Sequence, residues 1–375
     1  MEIHDIVAAW RNADRRASAL ATVVSVEGST YRRPGARMLI LPDGRRVGAI
    51  SGGCLEADVA ERARGVIATG EPICVLWDTR TESAEILLEL GCRGAMDILI
   101  ERADSPDVRS ALDFLASFEA DRGAGALATA FRVKGSPEVR VGERAALRSG
   151  FRPTGSRFGE AAAAELESAL AAARPIVRTY DLPGGRVEAV IERADPPVSL
   201  LICGAGEDAV PLATLARGLG WETRVFDHRP ALLTSDRFPS ARALLSIDAA
   251  AIARTVALDR RTAAVIMTHN NERDLEWLRA LGRSEIGYLG LLGPRSRAQR
   301  LLEALEEEGD EAPRMPFQSP AGLDIGSETP QEIALSILAE VQAVLAGRSG
   351  GFLRDRRAPI HSELPAAPGA SEAAR

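Results

Sequence analysis

"VSLLICGAGEDAVPLATLARGLGWETRVFDHR", residues 198–229, decides the fold of the second half of the chain. A short apolar run turns on glycines, passes into a helical pattern and returns as a second apolar run closed by an acid. Gly204, Gly206 and Ala209 form G-x-G-x-x-A directly after the first run. Glycines there allow a tight turn, and backbone N–H groups at the start of the next helix can hold a pyrophosphate. Asp227 ends the second run about 20 residues on, where a carboxylate can meet ribose hydroxyls. A nucleotide-type fold without its ligand is the plainer alternative.

The same rhythm continues outward. "AAVIMTH" (263–269) and "IGYLGLLG" (286–293) read as two more buried strands, each followed by helical sequence. Strands alternating with helices predict a parallel, doubly wound sheet. "TPQEIALSILAEVQAVLAG" opens with a capping box, Thr329 to Glu332, and Pro330 at the first helical position. His228 and Arg229 follow Asp227, and His269 ends its own strand. Ligands of open α/β sheets bind at that carboxyl edge. Either histidine alone reads as a hydrogen-bonded loop residue; two at one edge point to a site. Gly293 and Arg295, with Gly290 and Arg297, suit an anion at a third strand end, or simply a solvated basic helix start. Glu207 and Asp208 suit a helix dipole but repel a phosphate.

The first half reads differently. A helix over 2–17 precedes "ALATVVSVEGSTYRRPGARMLILPDGRRVGAI" (19–50), which reads as three strands joined by a Gly/Pro turn and an Asp-Gly turn. "AISGGCLEADV" (49–59) follows. Ser51 is the expected N-cap of a helix running to about residue 68. Gly52 and Gly53 would let the backbone approach a ligand. Cys54 would then sit in the first turn, where the helix dipole favours a thiolate, or lie buried behind a tight turn. Cys92 stands between two glycines just before a strand. Two such thiols suit soft-metal or sulfur chemistry, and neither spacing nor nearby histidine suits structural zinc. Cys74 and Cys203 lie inside apolar strands, as core residues would.

"PICVLW" and "AMDILIE" read as strands and 104–119 as a helix. In 122–195, "GALATAFRV" and "PEVRVG" read as strands, "GEAAAAELESALAAAR" as one helix, and "RPIVRTYDLPGGRVEAVIERA" as a hairpin across Pro183, Gly184 and Gly185. No internal repeat stands out. "DPPV" (195–198) breaks the pattern. The fold expected is α/β: a mixed α/β domain over 1–195, a Rossmann-like doubly wound parallel-sheet domain over 196–350, and a loose tail over 351–375.

Composition narrows the function. A chain of 375 residues allows two or three domains at roughly 100–200 residues each. A net charge of −7 argues against non-specific nucleic-acid binding. Lys134 is the sole lysine, and it lies in no Schiff-base or P-loop setting. No apolar run approaches ~18 residues, so no membrane span is expected. The N-terminus reads as an amphipathic helix and not a signal peptide. Four cysteines are too few for a disulfide scaffold, so a reducing, cytoplasmic compartment fits. H-E-x-x-H and G-K-[ST] are both missing from the sequence.

Taken together, these segments resemble the XdhC/CoxI family. The resemblance rests on "GSTYRRPGARMLI", "GAISGGCLEADV" and "LGCRGAMDILIE" in the first half. In the second half it rests on "ICGAGEDAVPLATLARGLGWETRVFDHR", "MTHNNERDLEWL", "IGYLGLLGPRSR" and "GLDIGSETPQEIALSILAEV". It covers most of 20–345 and is weak over 122–195. It implies a maturation factor that binds molybdenum cofactor, protects it during sulfuration and passes it to a xanthine dehydrogenase- or carbon monoxide dehydrogenase-type apoenzyme. It also implies a homodimer, with a cysteine desulfurase as a candidate sulfur donor. Cys54 and Cys92 become cofactor contacts or sulfur carriers, with Cys54 the candidate molybdenum ligand beside Ser51, Gly52 and Gly53. Gly204, Gly206, Asp227, His228, Arg229, His269, Gly293 and Arg295 become candidates for the cofactor's phosphate or a nucleotide. Many family members carry histidine where Glu207 and Asp208 stand. Two alternatives remain: an NAD(P)-using oxidoreductase working through Gly204 and Asp227, and a partner-binding scaffold in which Cys54 is dispensable.

Overall fold

A computed structural model describes residues 2–28, 30–78, 94–118, 122–136, 138–148, 156–171 and 174–357. The chain divides into two compact units, Met1–Pro196 and the part from Pro197 onward.

The first unit opens with α1 (Glu2–Asn12), followed by a 3-10 turn at Arg15–Ala17 where one longer helix was expected. Asp14 ends the α-helical path by accepting the N–H of Arg16. Strands β1 (Ala19–Gly28), β2 (Arg37–Ile40) and β3 (Arg46–Gly48), helix α2 (Glu56–Thr69), and strands β4 (Ile73–Asp78) and β5 (Gly94–Arg102) come next. They form an antiparallel sheet in the order β3-β2-β1-β5-β4. Alternation along β1 turns Ala19, Ala21 and Val23 toward Val59, Ala63 and Val66 of α2. On the opposite face Leu20 and Leu39 meet Ile6 and Trp10 of α1, and Val108 and Leu112 of α3 (Pro106–Ser117).

A second antiparallel sheet contains β6 (Gly125–Lys134), β7 (Arg144–Arg148), β8 (Ile176–Leu182) and β9 (Gly185–Ala194), in the order β7-β6-β9-β8. Its outer face is covered by α4 (Arg157–Ala161) and α5 (Ala163–Ala169), which interrupt the single helix expected there. Ala162 closes one and opens the other. The β8–β9 hairpin turns at Pro183 and Gly184 as expected. Of the strand expected at 137–142, residues 138–142 form none; the chain turns at Val141 and Gly142, and β7 follows. Gly142 has φ +90°, which a strand does not accommodate.

The two sheets overturn the expectation of no internal repeat. "ALATVVSVEGSTYRRPGARMLI" (19–40) and "ALATAFRVKGSPEVRVGERAAL" (126–147) align without a gap, and "IERAD" occurs at both 100–104 and 191–195. The strand orders β2-β1-β5-β4 and β7-β6-β9-β8 are equivalent. The bulge after Val23 in β1 recurs after Ala130 in β6. Gly35 donates to the Val23 carbonyl at 2.8 Å, and Gly142 to that of Ala130 at 2.8 Å.

The two repeats face each other through equivalent residues. Val24 and Leu99 of one meet Phe131 and Val190 of the other. Arg37 of the first repeat binds Glu192 of the second, and Arg144 of the second binds Glu101 of the first. All four side chains are buried. Arg132 adds a third bridge, to Asp97 at 2.8 Å.

The second unit contains β10 (Ser199–Cys203), α6 (Ala209–Gly218), β11 (Glu222–Phe226), β12 (Ala243–Leu245), α7 (Ile252–Thr255), β13 (Thr262–Ile266), α8 (Asn271–Leu281), β14 (Tyr288–Leu291), α9 (Arg295–Glu307), β15 (Phe317–Gln318) and α10 (Pro330–Leu345). The sheet is wholly parallel, in the order β12-β11-β10-β13-β14-β15. This is the Rossmann-like domain read from the sequence, with its order reversing between β10 and β13. Helices α6 and α10 bury one face, through Leu212, Ala216, Ile337 and Val341. Helices α8 and α9 bury the other, through Trp277, Leu278, Leu301 and Leu305. The capping box at Thr329 and Glu332 is present. Among the described residues, no helix is long and apolar enough to cross a membrane.

Removing one member of a buried ion pair strands the other charge and costs about 3–5 kcal/mol, whereas replacing both by apolar groups is often neutral. Urea unfolding should therefore show Glu101→Ala destabilised by about that amount. The double variant Glu101→Leu/Arg144→Met should recover most of the loss.

Candidate functional site

Two places carry the candidate residues, one in each unit. In the first unit, α2 begins at Glu56 rather than Ser51, so Cys54 lies in the loop before the helix and not in its first turn. The φ of Gly53, +116°, keeps the chain out of helical geometry there. Leu55 is the N-cap and makes no side-chain cap bond. Ser51 braces the loop instead. Its hydroxyl donates to the Glu56 carboxylate and accepts the N–H groups of Gly53 and Leu55, both at 3.2 Å. Glu56 also accepts from the backbone of Ser51 at 2.8 Å and of Ile50 at 3.3 Å. Burial pushes the Glu56 carboxyl up, but the Ser51 hydroxyl and these N–H groups outweigh it and hold it below the usual range.

On this brace the thiol of Cys54 is exposed, with Sγ 3.6 Å from Oγ of Ser51. A Cβ placed on Gly53 would meet nothing within 4 Å. One placed on Gly52 would meet the ring of Tyr31 at 3.7 Å. Thus Tyr31 of "TYRRPGAR" and Gly52 of "SGGCLE" come together in space. Cys92 lies outside the described residues. Cys203 is fully buried, as expected, and its thiol is pushed well up by burial. Cys74 is half-buried on the edge strand β4, and burial pushes its thiol up to about 12.

In the second unit the glycine loop is tightly wedged. Gly204 has φ +126°, and a Cβ there would lie 2.3 Å from the Met267 carbonyl oxygen. Asp227 holds the loop. One carboxylate oxygen accepts the Ala205 N–H at 2.7 Å and Nη2 of Arg229 at 2.9 Å. The other accepts the backbone N–H of Arg229 at 2.8 Å and its Nε at 2.9 Å, with Nδ1 of His228 3.3 Å away. Burial pushes the Asp227 carboxyl up, yet the bonds from Arg229 and Ala205 prevail and bring it down to about 2. The acid expected to meet ribose hydroxyls is thus committed to its own loop and to Arg229.

Sequence reasoning missed Arg237, which donates to the carbonyls of Ala205 at 2.8 Å and Leu232 at 3.0 Å and pairs with Glu207 at 2.7 Å. Asp208 lies 3.6 Å from Nε2 of His269. Both acids at this helix start therefore have basic partners. Among the described residues, His269 is the one non-glycine with positive φ, +58°. Its ring lies 3.8 Å from where a Cβ on Gly206 would sit. Also missed was buried Asp274, which accepts from the Thr268 hydroxyl and from Arg297 at 2.5 Å. Arg297 is the residue that ties "GPRSR" to the β13 end. Arg295 is exposed at the start of α9, after Gly293 with φ +151°.

A cleft of about 450 Å³ lies in the first unit beside Tyr31, and one of about 430 Å³ lies at the sheet edge of the second. The second is lined by Asp227, His228, Asp248, Thr268, Glu276 and Trp277. It gathers Asp227 and His228 but not the glycine loop, His269, Gly293 or Arg295. Arg273 lines it too and pairs with Glu276 at 2.8 Å. Among the described residues, no three His, Cys, Asp or Glu side chains come together to hold a metal ion.

The family described as the XdhC Rossmann domain matches residues 200–341, and that described as the XdhC and CoxI family matches residues 10–78. A protein of Bacillus subtilis described as a probable xanthine dehydrogenase subunit is 33% identical over 337 residues, covering 88% of this chain and 93% of the relative. The chain belongs to the XdhC and CoxI family. The XdhC/CoxI chain is also similar to the molybdenum cofactor insertion chaperone PaoD of Escherichia coli, 26% identical over 88% of this chain and 84% of PaoD. A crystal structure described as a xanthine dehydrogenase from Bacillus halodurans superposes with a TM-score of 0.72 at 28% identity, covering 93% of this chain and 97% of that one.

The Asp227 carboxyl is lower in the folded chain than the ~3.9 of an unfolded aspartate. Its stabilisation is therefore full above about pH 4 and is lost as pH falls toward the folded value. In urea unfolding at neutral pH, Asp227→Asn should be less stable than the parent by about 2 kcal/mol. The gap should narrow below pH 4; a gap unchanged down to pH 3 would mean the carboxylate is not held as described.

Proposed function

We propose that this chain binds molybdenum cofactor, shelters it while its terminal sulfur is added, and delivers it to a xanthine dehydrogenase- or carbon monoxide dehydrogenase-type apoenzyme. The observation that carries the reading is the exposed thiol of Cys54 on a loop braced by Ser51 and Glu56 and bare of side chains at Gly52 and Gly53. A soft sulfur donor with open space beside it fits a molybdenum centre or a sulfur to be transferred. When bound, the cofactor supplies an oxo-molybdenum dithiolene, a pterin and a phosphate.

The chain's own part is to hold and exclude. Cys54 contacts the metal or carries the sulfur, and Cys92 is the second thiol of that chemistry. Ser51 and Glu56 fix the loop so that the thiol position is not lost to fluctuation. In the second unit, Gly204, Gly206 and His269 form a surface for phosphate or a nucleotide. Arg229, Arg295 and Gly293 lie at neighbouring strand ends, with Asp227 and His228 beside them. A cysteine desulfurase as sulfur donor, a homodimer and a cytoplasmic location complete the proposal. An NAD(P)-dependent oxidoreductase is the weaker reading, because both oxygens of Asp227 are already bound within the chain.

The test is cofactor retention. Purified protein is mixed with freshly released molybdenum cofactor and gel-filtered, and molybdenum and pterin per chain are measured. The parent should retain both, and Cys54→Ala should lose most of the molybdenum. No retention by either, with nicotinamide turnover in its place, would overturn the reading.

A further inference from the structure

The two repeats of the first unit share a framework, so their differences mark what the framework does not require. In the second repeat Arg140 opens the turn before Gly142 and pairs with Asp107 at 3.7 Å. Its counterpart Arg33 opens the turn before Gly35, and Arg33 makes no ion pair with any described residue. At the position of Glu138 in the second repeat, the first carries Tyr31. Tyr31 is 67% exposed, large for an aromatic residue beside a cavity.

Arg33 is exposed, but the backbone beneath it is rigid. Ala36 donates to its carbonyl at 3.1 Å, closing a Pro34-Gly35 turn in which Gly35 has φ +93°. Arg37 donates to the Gly35 carbonyl at 2.7 Å and is itself held by buried Glu192. A Cβ on Gly35 would lie 2.4 Å from Oε2 of that glutamate, so the turn and the ion pair fit only with glycine. The turn borders the cleft of about 450 Å³, to which Ile3, Ile6, Pro34 and Pro175 add apolar wall. That volume is in the range of small-molecule sites. An aromatic ring, apolar walls and a guanidinium suit a flat heterocycle that carries a phosphate. Tyr31 also touches the Gly52 position, two residues from Cys54.

We propose that this cleft binds the pterin phosphate portion of the cofactor, with Arg33 as the phosphate contact and Tyr31 against the ring. The inference rests on the cofactor-binding reading and assigns it a second anchor beside Cys54, within the first unit.

The experiment uses the full chain and two fluorescent probes, 6-hydroxymethylpterin phosphate and the corresponding alcohol, followed by fluorescence anisotropy. The parent should prefer the phosphate ester by roughly tenfold or more, as a charge-assisted bond predicts. Arg33→Ala should bind the two probes equally, and Tyr31→Ala should weaken both. Cys54→Ala should keep the full preference. Equal binding of both probes by the parent, or an undiminished preference in Arg33→Ala, overturns the proposal. Gel filtration with released cofactor runs in parallel. Molybdenum retention without probe preference removes the cleft and leaves the cofactor reading. Preference without retention keeps the cleft as a pterin phosphate site and removes that reading.

Discussion

Two guanidinium–carboxylate pairs, Arg37 with Glu192 and Arg144 with Glu101, organise the first unit. Each pair crosses from one sheet to the other, and each is buried where water cannot screen it. Each is also copied in its surroundings. Gly35 and Gly142 stand beside the partner glutamates so closely that a Cβ would lie 2.4 and 2.5 Å from a carboxylate oxygen. The arginine of each pair donates back to its own glycine carbonyl, at 2.7 and 2.8 Å. The pairs thus set the turn, the turn sets where Tyr31 and Arg33 stand, and Tyr31 packs beside the Cys54 loop.

The second unit solves a related problem with one acid. Asp227 joins the glycine loop to the end of the neighbouring strand, and Arg229 neutralises it. A carboxylate so employed makes the loop rigid but is less available to an incoming diol. Glu207, which would repel a phosphate, is paired with Arg237, and Asp208 lies 3.6 Å from His269.

Much of the Rossmann-like domain was legible because buried parallel strands are continuous apolar runs and its last helix opens with a capping box. The edge strands Ala243–Leu245 and Phe317–Gln318 were not, being two or three residues long with little periodicity to detect. The helix start at Glu56 was misplaced because Ser51 has N-cap chemistry, while Gly53 and its positive φ decide where the helix can begin. The repeat escaped notice because the spacing from "ALAT" to "IERAD" differs between its copies and the covering helices share only their buried positions, Val59, Ala63 and Val66 against Ala162, Leu166 and Ala169. Arg237 and Asp274 carry no motif, and the partners that tie them into the site, Glu207 at 30 residues and Arg297 at 23, are distant in sequence.

The reciprocity of the repeats has a consequence for association. When the arginine turn of one copy bonds the glutamate strand of another, and the reverse bond forms as well, the contact is isologous. Two separate chains of one repeat would meet this way only at an equilibrium set by their concentration. Joined in one polypeptide, the same surfaces meet at the far higher effective concentration of a short tether. The chain thereby carries a two-fold pairing inside itself, and one repeat is free to hold the thiol loop while the other serves as its fixed counterpart.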